Sequence, residues 1–203
     1  MGGLTFESPE GATPIDAEGL IPQAIATYGD LCAVEAENIL AAAGRHLTRR
    51  RNADVSWLDE PYLRRLHSDM FGEVWTWAGR YRQVELNIGV APHKIAGEIG
   101  RLLGDFHHWN GLTPADMPVL ERAARLHHRL SWIHPFRNGN GRHARMAADV
   151  YLHSQRHPLP DWPGEELAAT NDIRRRYLAA LRAADAGDFG PLLALIESLL
   201  PAR

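Results

Sequence analysis

The sequence is poor in cysteine, and this scarcity excludes several kinds of site. Its 203 residues include a single cysteine, Cys32, so neither a disulfide within the chain nor a cysteine-based zinc site can form. No apolar run is long enough to predict a membrane span, and the first residues lack the basic-then-apolar pattern of a secretion signal. These absences predict a cytoplasmic protein that works in a reducing compartment without a membrane.

The sequence also has no excess of basic residues, which limits the kinds of partner that the protein is expected to bind. The net charge is -3 and the isoelectric point is about 6.4, so no general surface for nucleic acid or anionic membrane is predicted. Eleven histidines are present, but none stands in a His-Glu-x-x-His pattern, and adjacent histidines on a helix point in different directions. The histidine count therefore favours helix surface and partial burial over a metal site.

Apolar residues recur at helical spacing along most of the chain, which predicts a mainly α fold around one core. Prolines and glycines punctuate the first residues and predict an extended arm at 1–21. We divide the chain into residues 1–50, the arm with the first helix, and residues 51–203, a single globular unit. The predicted helices are 31–46, 58–71, 93–110, 117–133, a helix that carries Arg142 and Arg145 as far as about Gln155, 171–184 and 191–200.

One region has the composition of a strand pair. Between residues 81 and 92 the β-formers are Tyr81, Val84, Leu86, Ile88 and Val90, and Asn87 and Gly89 are available for a turn. This composition predicts a small β-hairpin inside an otherwise helical chain.

The most specific pattern in the chain is a nine-residue stretch that begins at His134. Histidine can accept or release a proton near neutral pH. A glycine-punctuated turn follows, and the helical pattern resumes after it, so unpaired N–H groups and the positive end of a helix dipole suit a phosphate there. Arg142 and Arg145 lie one helical turn apart, so both guanidiniums can address one anion. The stretch is His134, Pro135, Phe136, Arg137, Asn138, Gly139, Asn140, Gly141 and Arg142.

This stretch resembles the signature of Fic-domain proteins, the Fic/Doc family, which is His-Pro-Phe-x-x-Gly-Asn-Gly-Arg-x-x-Arg. The resemblance implies a helical bundle with one β-hairpin flap before the motif. It also implies an enzyme that moves AMP from ATP to a hydroxyl side chain of a target protein. The matching positions are His134, Pro135, Phe136, Gly139, Asn140, Gly141, Arg142 and Arg145.

The resemblance also implies roles at the protein-substrate side of the site. His134 would be the general base that takes the proton from a Ser, Thr or Tyr hydroxyl. Pro135 and Phe136 would fix the loop, with the phenyl ring packed inward. The flap would clamp an extended target segment by strand addition. Its candidate contact residues are Val84, Leu86 and Ile88.

Other roles concern the nucleotide. Backbone and side-chain donors of the glycine-rich turn would bind the α- and β-phosphates, where charge builds during transfer. Arg142 would steady the phosphate chain, and Arg145 would hold the γ-phosphate. The turn residues are Gly139, Asn140 and Gly141.

One position departs from the family pattern. The family usually has Asp or Glu, which holds Mg2+, where this chain has Asn138. An amide oxygen is an uncharged ligand, so we expect a weakened Mg2+ site at Asn138. The departure keeps two alternatives open: a Fic-fold enzyme that uses another nucleotide or transfers phosphate, and a catalytically weak domain that binds nucleotide or a partner.

Many Fic proteins carry an inhibitory helix with the pattern Ser/Thr-x-x-x-Glu-Gly/Asn, whose glutamate pairs with the second motif arginine. Residues 33–38 match it in part, with Glu37 and Asn38 in place but Ala33 where Ser or Thr is usual. The match predicts a Glu37–Arg145 ion pair that blocks the γ-phosphate. The alternative is that Glu37 is an ordinary exposed helix residue.

The order of elements resembles a smaller Fic subgroup, mobile mystery protein B, found on bacterial mobile elements. The resemblance rests on the opening segment, 4–14, and on a late segment, 176–185. It implies a toxin-like or regulatory role and an antitoxin-like partner. In the family the late segment packs by the nucleotide, so Tyr177 is a candidate for the adenine side, with a core tyrosine as the alternative.

Overall fold

The structure, a computed structural model, describes residues 5–6, 15–16, 18–22, 25, 27–49, 51–164, 167 and 171–202. It confirms the mainly helical fold. Two short strands, β1 (Thr5–Phe6) and β2 (Ile15–Asp16), pair antiparallel. A 3-10 turn, Pro92–Lys94, leads directly into the helix that begins at Ile95. The α-helices described in full are α1 (Tyr28–Thr48), α2 (Glu60–Phe71), α3 (Ile95–Gly111), α4 (Val119–Ile133), α5 (Asn140–Ser154), α6 (Asp172–Asp185) and α7 (Gly190–Ser198).

Three of these helices begin where the sequence offers a capping side chain. Thr27 and Asp30 form a reciprocal capping box at the start of α1, with bonds of 3.1 and 2.8 Å. The Asp59 carboxylate accepts the Tyr62 N–H at the start of α2, and Asn171 caps α6. Because such caps fix helix starts locally, the bounds fall within three residues of the predicted ones.

Much of the predicted arm at 1–21 lies outside the described residues. The described part of it lies beside the turn that follows α2, where Leu20 forms an isolated bridge with Trp75. Glu18 forms a 2.8 Å ion pair with Arg137. The end of the arm therefore contacts both the turn after α2 and the turn that carries the histidine motif.

The motif turn joins α4 to α5, and these two helices form the centre of the core. Helix α5 packs against α4 and also contacts α1 and α2, while α1 lies along α2. Few positions of α5 face solvent. Its fully buried residues include Ala144, Ala147, Val150 and Tyr151. None of the described helices combines the length and apolar character that a membrane crossing needs. The motif therefore sits between rigid, well-packed elements, which is where precise side-chain placement is possible.

The prediction of a hairpin at 81–92 was wrong, because this segment forms no strand pairing. The guanidinium of Arg82 lies between its two arms and donates to the carbonyls of Val84 and Val90. One side chain thus takes the place of cross-strand hydrogen bonds. Strand propensity depends on such tertiary context more than helix propensity does, so the β-formers alone did not specify a ladder. We refer to residues 81–91 as the flap segment.

Candidate active site

His134 ends α4 in a left-handed conformation, with φ 53° and ψ 60°. Its Nδ1 lies 3.2 Å from the Ser131 carbonyl, which can only accept, so Nδ1 carries the hydrogen and Nε2 keeps its lone pair. Burial, opposed by the hydrogen bond to the Ser131 carbonyl and assisted by the charge of Arg82, lowers the pKa of His134 to about 4. The imidazole is therefore neutral at ordinary pH and in the tautomer that a general base requires.

The flap segment lies directly against this histidine. A Cβ added at Gly89 would lie 2.5 Å from the His134 Cβ, and Gly89 itself has a positive φ of 96°. Only glycine allows the backbone to pass so close in that conformation. His134 is consequently 8% exposed, and the flap segment forms one wall of its pocket.

The turn after His134 is braced from inside by Asn140. Its Oδ1 accepts the Phe136 N–H at 2.8 Å, and its Nδ2 donates to the Phe136 carbonyl at 2.9 Å. The side-chain amide that we expected to donate to phosphate is therefore engaged within the turn. Phe136 is fully buried, and Pro135 is also buried.

The start of α5 has the geometry of an anion site. Gly139 precedes the helix with φ 75°, and a Cβ there would meet the Phe71 ring at 2.5 Å. Within the described chain, no side chain caps the helix, so the first-turn N–H groups of Asn140, Gly141 and Arg142 have no side-chain acceptor. These donors and the helix dipole attract a phosphate. The Gly139 N–H differs, since it donates to the Asn138 side chain at 2.6 Å.

His67 lies under this turn, and we did not single it out from the sequence. It accepts the Gly79 N–H at Nδ1, 3.1 Å, so its Nε2 carries the hydrogen and donates to the Asn138 carbonyl at 3.0 Å. Burial holds the pKa of His67 well below its usual value. Its ring stacks on Phe136 at 3.7 Å. The available signal was its position four residues after Leu63, on the apolar face of α2.

Arg142 is paired with a glutamate of α1. Its Nη1 lies 2.6 Å from Glu35, which is 3% exposed. The same carboxylate accepts the Trp75 Nε1–H at 2.7 Å. The guanidinium also lies 4.9 Å from the Phe71 ring centre. A phosphate that binds Arg142 must therefore compete with a buried carboxylate.

The predicted Glu37–Arg145 ion pair does not form. Glu37 is exposed to solvent, whereas Asn38 is buried and its Nδ2 has no hydrogen-bond partner in the described chain. Side chains two positions apart on a helix point in directions that differ by about 200°, so Glu35 and Glu37 cannot both face α5. The carboxylate that reaches the motif is Glu35, and its partner is Arg142.

Arg145 instead lies between two aromatic rings. Its guanidinium carbon is 5.7 Å from the Trp162 ring centre and 5.6 Å from that of Tyr177, whose hydroxyl is 3.4 Å from Nη1. The Tyr177 hydroxyl also pairs with His127 at 2.8 Å. Tyr177 is thus a buried neighbour of the second motif arginine. Asp149, one turn further along α5, accepts the Trp162 Nε1–H at 3.1 Å.

The three predicted flap contact residues have different exposures. Val84 is 49% exposed and Ile88 is 41% exposed, whereas Leu86 is half-buried. Within the described chain, the backbone N–H and C=O groups of residues 85–89 make no hydrogen bond with protein. This stretch offers open backbone groups and apolar side chains next to His134.

At position 138 the chain offers a Mg2+ ion an amide oxygen instead of a carboxylate. Asn138 Oδ1 already accepts the Gly139 N–H, and the position has no negative charge. Over the part of the chain that the structure describes, no three His, Cys, Asp or Glu side chains are grouped to hold a metal. We therefore assign no step of the chemistry to a protein-bound metal.

The fold matches solved Fic-domain structures. The N-terminal Fic domain of a VirB-translocated Bep effector protein from Bartonella quintana superposes with a TM-score of 0.69 at 19% identity, covering 96% of this chain and 94% of that one. BepC protein from Bartonella tribocorum, solved with bound AMPPNP, gives a TM-score of 0.64 at 19% identity, covering 97% and 96%. The fold is therefore a Fic fold.

The sequence comparisons agree with the fold. Residues 57–152 match the model of the Fic/DOC family, which confirms the Fic domain recognised from the motif. Protein adenylyltransferase fic-1 of Caenorhabditis briggsae is 31% identical over 121 residues, 57% of this chain and 22% of that protein. Probable protein adenylyltransferase y4lH of Sinorhizobium fredii is 28% identical over 149 residues, 70% and 73% of the two chains. This chain thus spans about a fifth of the nematode relative.

Asp149 generates a prediction on stability. Burial raises its pKa from 3.8 to about 7, against the opposing effects of the Trp162 hydrogen bond and Arg145. Between pH 4 and 7 the unfolded chain has released this proton and the folded chain has not, so folding stability falls as pH rises. Asp149→Asn keeps the acceptor for Trp162 and removes the charge. It should raise the free energy of unfolding at pH 8 by on the order of 2–4 kcal/mol and leave it little changed at pH 4.

The measurement is urea unfolding of both proteins across that pH range. Asp105→Asn, at an exposed position of α3, is the matched control and should show no pH-dependent gain. An equal effect of Asp149→Asn at pH 4 and pH 8 contradicts the prediction.

Proposed function

We propose that this protein is a Fic-type adenylyltransferase that moves AMP from ATP to a Ser, Thr or Tyr hydroxyl of a target protein. The observation that carries the proposal is a neutral His134, with its Nε2 lone pair, next to the uncapped N-terminus of α5. The Fic fold and the adenylyltransferase names of the relatives support it. ATP is the substrate, and the chain acts in the cytoplasm.

Each residue has a defined task in this reaction. The target hydroxyl oxygen attacks the α-phosphorus of ATP, its proton passes to His134 Nε2, and the bond to the β-phosphate breaks to release pyrophosphate. The first-turn N–H groups of α5 bind the phosphate oxygens on which charge builds. Arg142 and Arg145 turn from their present partners to the phosphate chain. The backbone N–H groups of α5, unlike these arginines, are already in position and need little reorganisation during transfer.

The target would present its hydroxyl on an extended segment. Among the described residues, the backbone groups of 85–89 find no hydrogen-bond partner, and Val84 and Ile88 are exposed beside them. An extended chain can add to such an edge through main-chain hydrogen bonds, with side-chain contacts giving specificity. This arrangement brings an acceptor hydroxyl alongside His134.

The decisive test uses differently labelled ATP. The protein incubated with bacterial lysate and α-labelled ATP should transfer label to protein, and His134→Ala should lower that labelling by at least about 100-fold, the usual contribution of a general base. The measurement is label retained on denaturing gels. Label from γ-labelled ATP alone would indicate phosphate transfer instead. Absence of label from any nucleotide would indicate a binding domain without turnover.

Asn138 is the observation that favours these alternatives, and it gives a second prediction. A carboxylate at this position could accept the Gly139 N–H and still ligate a metal ion. Asn138→Asp should therefore lower the Mg2+ concentration that gives half-maximal labelling by about tenfold, a change of about 1.4 kcal/mol in metal binding. The readout is labelling against Mg2+ concentration at fixed ATP. Identical curves for both proteins would rule out position 138 as the metal position.

We further propose that α1 inhibits the site through Glu35 rather than Glu37. The buried Glu35 carboxylate, 2.6 Å from Arg142, competes with a phosphate for that guanidinium. Glu35→Gln keeps the acceptor for Trp75 and removes the charge. It should tighten binding of a non-hydrolysable ATP analogue by about tenfold, equal to about 1.4 kcal/mol. Calorimetry of the two proteins measures this.

Glu37→Gln is the matched control because Glu37 is exposed on the same helix. It should leave the affinity unchanged. Equal tightening by both substitutions would contradict the Glu35 mechanism and point to a general charge effect.

The remaining assignments follow from the resemblance and are proposals as well. Residues 1–50 would act as a regulatory segment on a Fic unit of residues 51–203. The chain would belong to the mobile mystery protein B subgroup of bacterial mobile elements, with a toxin-like role and an antitoxin-like partner. The fastening of Glu18 to Arg137 supports a regulatory arm, since it joins that segment to the motif turn.

A further inference from the structure

Arg82 is a buried arginine that belongs to none of the functions assigned above. It is 1% exposed, yet within the described chain it has no carboxylate at ion-pair distance. Its Nε donates to the His134 carbonyl at 2.7 Å and its Nη1 to the Val84 carbonyl at 2.9 Å, and Nη2 donates to the Val90 carbonyl. Three carbonyl groups from two segments thus satisfy one cation.

The backbone of the same residue adds a fourth connection. The Arg82 N–H donates to the Pro135 carbonyl at 2.9 Å. The residue therefore holds both peptide carbonyls that follow the end of α4, those of His134 and Pro135. The left-handed turn at His134 places an L side chain in a sparsely populated backbone region, so it requires such external support.

The guanidinium also sets the shape of the flap segment. It keeps the two arms apart by occupying the Val84 and Val90 carbonyls, which a hairpin would use for cross-strand bonds. The backbone groups of residues 85–89 between these anchors remain unpaired within the described chain. One side chain consequently fixes an open edge and the histidine beside that edge.

We propose that Arg82 is a positioning residue that couples target docking on the flap segment to the alignment of His134. The proposal deepens the transfer reaction proposed above and rests on it for its kinetic consequences. A target strand that binds residues 85–89 pulls on the Val84 and Val90 carbonyls. Because those carbonyls and the His134 carbonyl share one rigid guanidinium, the docked strand and the catalytic ring are held in a fixed relation.

Arg82 also acts on the imidazole through its charge. Among the residues that the structure describes, the Ser131 carbonyl from α4 and the Arg82 charge from the flap segment act on the His134 pKa besides burial. The guanidiniums on the motif side, Arg137 and Arg142, are paired with Glu18 and Glu35. A guanidinium stays protonated even when buried, so Arg82 is a permanent positive charge that disfavours a second one on the ring.

The test compares Arg82→Gln, which removes the charge, with Arg82→Lys, which keeps the charge but cannot fork to three carbonyls. Arg80→Gln, at an exposed position two residues away, is the matched control. The first measurement is an NMR titration of the His134 imidazole, assigned by comparison with His134→Ala. Arg82→Gln should raise the titration midpoint by about one unit, Arg82→Lys by less, and Arg80→Gln should leave it unchanged.

The second measurement is labelling from α-labelled ATP, with the affinity for a non-hydrolysable ATP analogue measured in parallel. Both Arg82 variants should lose about tenfold or more in labelling rate while nucleotide affinity stays within about twofold, because α5 is untouched. A merely structural role would instead lower nucleotide affinity and thermal stability together. If Arg82→Gln fails to fold, Arg82→Lys supplies both readouts.

The results of these measurements distinguish a failure of this proposal from a failure of the proposed function. An unchanged His134 titration in the folded Arg82 variants, or an equal fall in labelling rate and nucleotide affinity, overturns the positioning role. A shifted titration in a protein that shows no labelling with any nucleotide supports the coupling of Arg82 to His134 and overturns the transferase assignment.

Discussion

The site depends on hydrogen bonds that other segments make to the backbone of the motif turn. His67 from α2 donates to the Asn138 carbonyl, and Arg82 from the flap segment donates to the carbonyls of His134 and Pro135. Asn140 braces the Phe136 peptide from within. These donors fix the turn before any ligand binds, so the helix N–H groups and the imidazole start in position. A loop held this way needs little reorganisation when charge develops on a phosphate.

The two motif arginines are engaged on opposite sides of α5. Arg142 faces α1 and the Glu35 carboxylate, while Arg145 lies between Trp162 and Tyr177. A polyphosphate has to draw both away from these partners, and the two competitors differ in kind. If Arg142 moves away, the buried Glu35 carboxylate loses its cation and keeps the hydrogen bond from Trp75. If Arg145 moves away, it gives up only weaker cation–π contacts with Trp162 and Tyr177. In the described structure, Arg142 therefore has the stronger competitor for an anion.

Sequence patterns predicted the helices well because their signals are local. The caps at Thr27, Asp59 and Asn171 act within four residues, and apolar spacing marks the buried faces of α4 and α5. The hairpin failed because the Arg82 side chain, which belongs to the same segment but also donates to the distant His134 carbonyl, occupies the Val84 and Val90 carbonyls. Gly89 illustrates the same limit: its sequence signal is a turn, but its structural role is the close approach of the flap segment to His134.

By itself, the sequence determined the order of the motif, the histidine that begins it, the helix N-terminus behind it and the missing carboxylate at Asn138. Only the tertiary structure decided which carboxylate meets which arginine and which buried side chains hold the turn. The physical reason is that a helix presents its residues in fixed directions, but packing chooses the direction that faces the site. Glu35 rather than Glu37 reaches α5 because of how α1 lies on α2 and α5, and no pattern within α1 encodes that rotation.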